Sequence, residues 1–308
     1  MLSCLKIILE EMLRGGFDKE RPENIRNRNR GIGVYSNRGK NMNMGEIRKI
    51  GLCISTLLIL VSSSRPAQAA VPVEKKNGIY YELEDGSIAP EYWKINDDGS
   101  MSYCKSKDVQ IKNNMIAALD DEYHVFDRNG EMLKSAEYQY YGLTLDIDED
   151  GKAVIRQTDD EEMLREYAAE LVQDLTGNVP EQEKKLDIIF DYVYHLTFDP
   201  SVNTDEDLPA AAMFAFDTGR GNCFSQASLI HYMCQALGYK DMIIRSGDTH
   251  WWNLLKVGDN YYHVDCTPFT GFSGWNRVST EELIESGKDD SMVRYLHTYD
   301  QDNFPQAR

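Results

Sequence analysis

Apolar residues fall in short alternating runs between residues 71 and 157 of this chain, and recur every three or four positions from 158 onward. The first pattern predicts strands. Leu143, Leu145 and Ile147 alternate with Thr144, Asp146 and Asp148, as in a strand with one buried face. Asp85-Gly86, Asp98-Gly99, Asn129-Gly130 and Asp150-Gly151 separate the runs, and such pairs accept the positive φ of tight hairpin turns. The second pattern predicts helices. Thr158-x-x-Glu161 is a capping box ahead of Met163, Leu164, Tyr167, Ala168, Leu171, Val172 and Leu175, with Gly177 as the stop. Pro180 suits a first helical position before Leu186, Ile189, Phe190 and Val193, and Pro200 closes that segment. A polar loop and a short apolar stretch (210–216) then lead to Gly219-Arg220-Gly221. A third helix is predicted from Phe224, Ala227, Ile230, Met233, Cys234 and Leu237, with Gly238 ending it. Beyond it, Met242–Arg245 and the alternating run Tyr261–Asp265 read as strands flanking a Gly258-Asp259-Asn260 turn.

The organisation expected is a β-rich hairpin domain over 71–157, an α+β domain over 158–300 and a tail at 301–308. Ahead of these, Arg48 and Lys49 precede the apolar run Ile50–Val61, then serines and Ala67-Gln68-Ala69. A basic flank, a short apolar stretch and an A-x-A site describe a secretory signal peptide over 44–70, cleaved after Ala69. The run of about a dozen residues falls short of the roughly 20 that span a bilayer. No stable membrane span is expected after cleavage. Residues 1–43 hold an Arg/Asn-rich tract foreign to such a signal, so translation is expected to start at Met42 or Met44. The product should be secreted, or held at the cell surface.

Two features of the hairpin region tempt a functional reading. Asp146–Gly151 has the opening of a calcium loop, but its twelfth position is Gln157 and not the required bidentate Glu, so a plain turn is expected. Tyr80, Tyr81, Tyr92, Trp93, Tyr138, Tyr140 and Tyr141 are similar to the aromatics of glycan-binding repeats. Their irregular spacing assigns them to sheet packing instead.

Charge narrows the partners. The 308 residues carry net −18, and those after residue 69 hold 21 basic against 45 acidic side chains. So acidic a body repels nucleic acid and anionic lipid. Cys104, Cys223, Cys234 and Cys266 remain after signal removal, too few for a disulfide framework, and one disulfide at most is expected if one of them is a free nucleophile. No CxxC or Cys/His ligand spacing appears, and neither a metal nor a cofactor is expected.

Cys223 is the residue with chemistry to offer. It opens a largely apolar helix behind a glycine-rich loop, where the helix end stabilises a thiolate and a developing oxyanion. His250 follows 27 positions later in His250-Trp251-Trp252-Asn253, and Asp265 ends the next strand. A thiol nucleophile needs a base, and that imidazole needs a carboxylate to fix its tautomer. His263 is a strand neighbour of Asp265, His231 lies inside the helix, and His195 ends a helix where a cation is favourable; none of these is expected to be the base.

Gly221-Asn222-Cys223, His250-Trp251-Trp252-Asn253 and Tyr261-Tyr262-His263-Val264-Asp265 together resemble the core of the transglutaminase-like superfamily, which is related to papain. The resemblance covers about residues 180–275 and implies a Cys-bearing helix packed on an antiparallel sheet, with Cys223 as nucleophile, His250 as general base and acid, and Asp265 as orienting carboxylate. Cys266 stands where the family often has proline. The implied function is acyl transfer through a thioester by a secreted peptidase or amidase acting on a protein or peptide, in a cell-wall setting. The alternatives are a protein-crosslinking transamidase and a surface-binding module without turnover. Hydrolysis is favoured, because no residues identify an amine site and the domain is too short for a long lid.

Overall fold

In the computed structural model, the described residues are 71–75, 78–83, 85–105, 108–247, 250–269 and 272–308. The expected signal peptide, its cleavage site and residues 1–43 lie outside them. Ten strands precede the first described helix. β1 (Val71–Lys75) and β2 (Gly78–Glu82) form a hairpin, and β3 (Glu91–Ile95), β4 (Met101–Lys105) and β5 (Val109–Gln110) a three-stranded sheet. β6 (Asn114–Ala117), β7 (Tyr123–Phe126), β8 (Ala136–Tyr140), β9 (Leu143–Ile147) and β10 (Ala153–Ile155) form a five-stranded antiparallel sheet in the order β6-β7-β10-β9-β8. Leu143, Leu145 and Ile147 are its buried face. The would-be calcium loop is the β9–β10 turn. Asp148 accepts from the amides of Asp150 and Lys152, and Arg156 binds Asp146, so both carboxylates already have partners.

The helical half follows its sequence signals with three differences, the first being that Glu161 turns its carboxylate to Arg165 and Tyr232 rather than closing a capping box on Thr158. α1 (Asp159–Thr176) is capped by Thr158, whose side chain accepts from Glu161 N at 3.2 Å, and ends at Gly177. α2 (Gln182–Tyr194) has Glu181 as its N-cap, so Pro180 precedes the cap rather than opening the helix. The apolar stretch at 210–216 is itself helical, within α3 (Leu208–Thr218). Asp207 caps it through Ala210 N, Pro209 sits in its first turn, and Gly219 ends it in the left-handed region. α4 (Cys223–Ala236) is the central helix, and twelve of its residues are buried.

Against α4 lies a four-stranded antiparallel sheet of β13 (Lys240–Ser246), β14 (His250–Val257), β15 (Asn260–Asp265) and β16 (Trp275–Val278). Asn253 of β14 reaches across to Ala227 O at 3.0 Å, fixing helix to sheet. A short parallel pair, β11 (Thr197–Phe198) with β12 (Arg220–Gly221), holds the loop that enters α4. α5 (Thr280–Asp289) and α6 (Ser291–Leu296) follow. Among the described residues, no helix is long and apolar enough to cross a membrane.

The fold is α+β, a β-rich region ahead of a helix-on-sheet core, but the hydrophobic core does not stop at residue 157. One buried cluster includes Tyr103, Ile116 and Leu145 together with Phe224, Met242 and Trp252. Tyrosines carry the junction: Tyr140 OH accepts from Ile243 N at 2.8 Å, and Tyr261 OH donates to Ala117 O at 2.8 Å. Residues 301–308 are also packed, with Ala307 N bonded to Thr280 Oγ1 and Asn303 O accepting from Asn114.

Candidate active site

Cys223 is the first residue of α4. Asn222 caps the helix by accepting Ser225 N at 2.9 Å, so the cap sets the position of the thiol. Gly221 is required by packing: a Cβ there would lie 2.6 Å from Ser225 Cβ. Cys223 is nearly buried, at 9% exposure. Its thiol hydrogen-bonds the imidazole of His250, the first residue of β14.

The other edge of that imidazole meets the end of β15. His250 Nε2 donates to Asp265 Oδ2 at 2.8 Å, which leaves Nδ1 for the thiol. β14 and β15 pair with Asn253 opposite Val264, so the hairpin brings the start of one strand beside the end of the other. Asp265 Oδ1 accepts Thr267 N at 2.9 Å. Burial alone would push His250 down, but the Asp265 carboxylate and the Cys223 thiol outweigh it and push His250 up to about 10. Burial works against the Asp265 anion too, yet His250 and two imidazole hydrogen bonds hold its carboxyl well below the usual range. The site therefore stabilises positive charge on the His250 ring between Cys223 and Asp265.

The second of those hydrogen bonds comes from a residue the motifs do not mark. His297, just past α6, donates from Nε2 to the same Asp265 Oδ2 at 2.7 Å. Its Nδ1 lies 2.8 Å from Val293 O, and Trp275, Phe272 and Trp252 surround the ring. It lies 32 positions beyond Asp265 in Tyr295-Leu296-His297-Thr298, where one apolar residue before a histidine gives no signal. His250, Asp265 and His297 are also a possible ligand set, with donor atoms within 4.8 Å of one another. Their short N–O separations are hydrogen bonds, and a cation at about 2.0–2.2 Å from each atom would displace both N–H protons.

The remaining histidines stand apart. His263 accepts from Trp252 Nε1 at 3.1 Å and reaches Thr280 Oγ1 at 3.2 Å; burial, with His297 nearby, pushes it down to about 3. His231 forms a fully buried pair with Asp241 at 2.8 Å, and Asp241 also accepts from Asn253. His195 caps the end of α2 and pairs with Asp191. All four described cysteines are buried thiols outside any disulfide. Burial pushes Cys104 up to about 12 and also raises Cys234 and Cys266.

A helix-borne thiol, a strand-borne imidazole and a carboxylate on the neighbouring strand meet on this helix-on-sheet core. Residues 169–266 match the sequence model of the transglutaminase-like superfamily, and the chain carries a domain of that superfamily there. No curated protein matches the chain. Among solved structures, it is similar to a protein of Cytophaga hutchinsonii named as a candidate cysteine protease. Identity there is 17% and the TM-score 0.30, covering 40% of this chain and 47% of that one. It is also similar to the choline-binding domain of a Streptococcus pneumoniae protein, at 19% identity and TM-score 0.19, over 29% of this chain and 98% of that one. An alternansucrase complexed with isomaltotriose shares 23% identity over 27% of this chain at TM-score 0.23, and the chain covers 7% of that protein's length. At these TM-scores the likenesses carry no functional argument.

Proposed function

We propose that the protein is a cysteine-nucleophile acyl-transfer enzyme whose ordinary acceptor is water, that is, a peptidase or amidase. One observation carries the reading: the continuous hydrogen-bonded chain from the Cys223 thiol through His250 to Asp265. In the reaction, Cys223 Sγ attacks the substrate carbonyl and its proton resides on His250. The positive end of α4 faces the oxygen that gains charge. The C–N bond breaks as the His250 imidazolium protonates the leaving amine, giving a thioester. Water then attacks, His250 takes its proton, and the thiol is regenerated as the acid leaves. Asp265 holds the imidazole in one tautomer and stabilises its cation throughout.

Location outside the cell rests on the basic, apolar and A-x-A segments of residues 48–69. Peptide substrates in a cell-wall setting fit that location. The acceptor is tested by following ammonia or peptide release from Gln- and peptide-bearing substrates with and without a primary amine. Free acid as the main product at millimolar amine, lost in Cys223→Ala, supports the hydrolase. Mainly amine adduct means a transamidase.

A further inference from the structure

We propose that His297 is the positioning residue for Asp265, so that the working unit is a four-membered chain from Cys223 through His250 and Asp265 to His297. The inference rests on the triad reading above. Its ground is that two imidazoles donate to one carboxylate oxygen, at 2.8 Å from His250 and 2.7 Å from His297, while Thr267 N occupies the other oxygen. A carboxylate that meets only one donor can turn about its own axis and leave the partner imidazole without an acceptor. Thr267 N holds Oδ1, and His297 holds Oδ2 independently of His250, so the acceptor stays in place while the His250 ring changes charge during turnover.

His297 is itself held on every side. Trp275 lies against its ring at 4.0 Å between centroids, Phe272 at 5.5 Å and Trp252 at 5.1 Å. Its Nδ1 lies against Val293 O, one turn back along α6. The ring is fully buried, so it reaches neither solvent nor substrate and acts only through Asp265. The titratable groups facing it are Asp265, His250 and His263.

Both neighbours of the ring are acceptors, so only an imidazolium would satisfy both. Burial pushes His297 down, and the nearby His250 adds to that against the pull of Asp265. In either charge state the Nε2–H donates to the carboxylate, the stronger of the two contacts because that acceptor is charged.

The test is the pH dependence of iodoacetamide alkylation at Cys223, read by mass spectrometry of its peptide, in wild type, His297→Phe, His297→Gln and His297→Asn. Phenylalanine keeps the aromatic packing and removes the donor. Glutamine places an N–H near the position of Nε2, whereas asparagine reaches only the Nδ1 side. In His297→Phe the pH of half-maximal rate should rise by on the order of one unit, because a loosened Asp265 no longer holds the His250 imidazolium. Glutamine should recover most of that shift and asparagine should not. Should His297→Phe fail to fold, shown by loss of its thermal transition, the glutamine–asparagine contrast carries the same test. Superimposable profiles for glutamine and asparagine, or a native His297→Phe with the wild-type profile, overturn the proposal while leaving the triad intact. Wild-type Cys223 alkylated no faster than cysteine in the unfolded chain removes the triad reading, and this proposal with it.

Discussion

The rings of His250 and His297 stand 5.0 Å apart and nearly perpendicular, at 87°, with both Nε2 atoms directed at Asp265 Oδ2. The perpendicular arrangement lets two N–H groups reach one oxygen without clashing. It also buries the carboxylate completely, so Asp265 is an anion held only by protein donors.

Replacement of that anion should be costly without being disruptive. Asp265→Asn preserves shape but offers an amide N–H toward one imidazole, and the imidazolium loses its counter-charge. Turnover should fall by about 10²–10⁴-fold with little change in KM, since the substituted group does not touch substrate. A variant that keeps more than a tenth of wild-type kcat would mean Asp265 does not orient the base.

The loop before α4 makes a second, sharper demand. A methyl at Gly221 would sit 2.6 Å from Ser225 Cβ, and neither atom can swing away because both lie beside the main chain. Gly221→Ala should cost about 1–3 kcal/mol of stability, measured in urea, and displace the thiol at the start of the helix. Activity should fall further than stability does. A fully active Gly221→Ala protein would contradict the claim that this close approach positions Cys223.

Much of this site was readable in the sequence, because its parts sit where local rules are strong. The cap at Thr158, the helix from Cys223 to Ala236 and the hairpin ending at Asp265 all follow from periodicity and turn residues. Cys223, His250 and Asp265 come from three separate segments, but each motif holds its own place on an element. His297 has no such marker; its role arises from the chain folding back after β16, a tertiary fact. The helix at Leu208–Thr218 has no clear sequence marker for a related reason. Seven apolar residues in a row give no period, and only Asp207, Pro209 and Gly219 announce its ends. The shared core was invisible too, since a tyrosine hydroxyl bonded 103 positions away leaves no local pattern.

That shared core gives the third prediction. Expression of residues 158–308 without 71–157 should yield a protein with no cooperative thermal transition, because Met242, Trp252 and Tyr261 would lose their covering sheet. Adding residues 71–157 on the same chain should restore it. A cooperatively folding 158–308 fragment would show that the hairpin region is a separable domain.

The histidine beside the site should make the protein sensitive to acid. His263 is pushed down to about 3 in the fold, by burial first and by His297 second, from an ordinary value of 6.5. Below pH 6.5 the unfolded chain takes up a proton there that the folded protein refuses until about pH 3. Stability from this group is therefore intact above 6.5 and is lost as the pH falls, at about 1.4 kcal/mol per pH unit. His297 is lowered as well and acts in the same direction. Urea midpoints between pH 7 and pH 4 should fall less steeply in His263→Gln than in wild type. Equal slopes would show that His263 is not held neutral.

Site-resolved alkylation tests the central claim most directly. Cys223 hydrogen-bonds an imidazole, whereas burial raises Cys104, Cys234 and Cys266. In native protein at pH 7, iodoacetamide should modify Cys223 at least about 100-fold faster than the other three, and His250→Ala should remove that advantage. The three buried thiols should react only on unfolding. Equal rates at all four cysteines, or a fast Cys223 unaffected by His250→Ala, would contradict a thiol–imidazole nucleophile at this site.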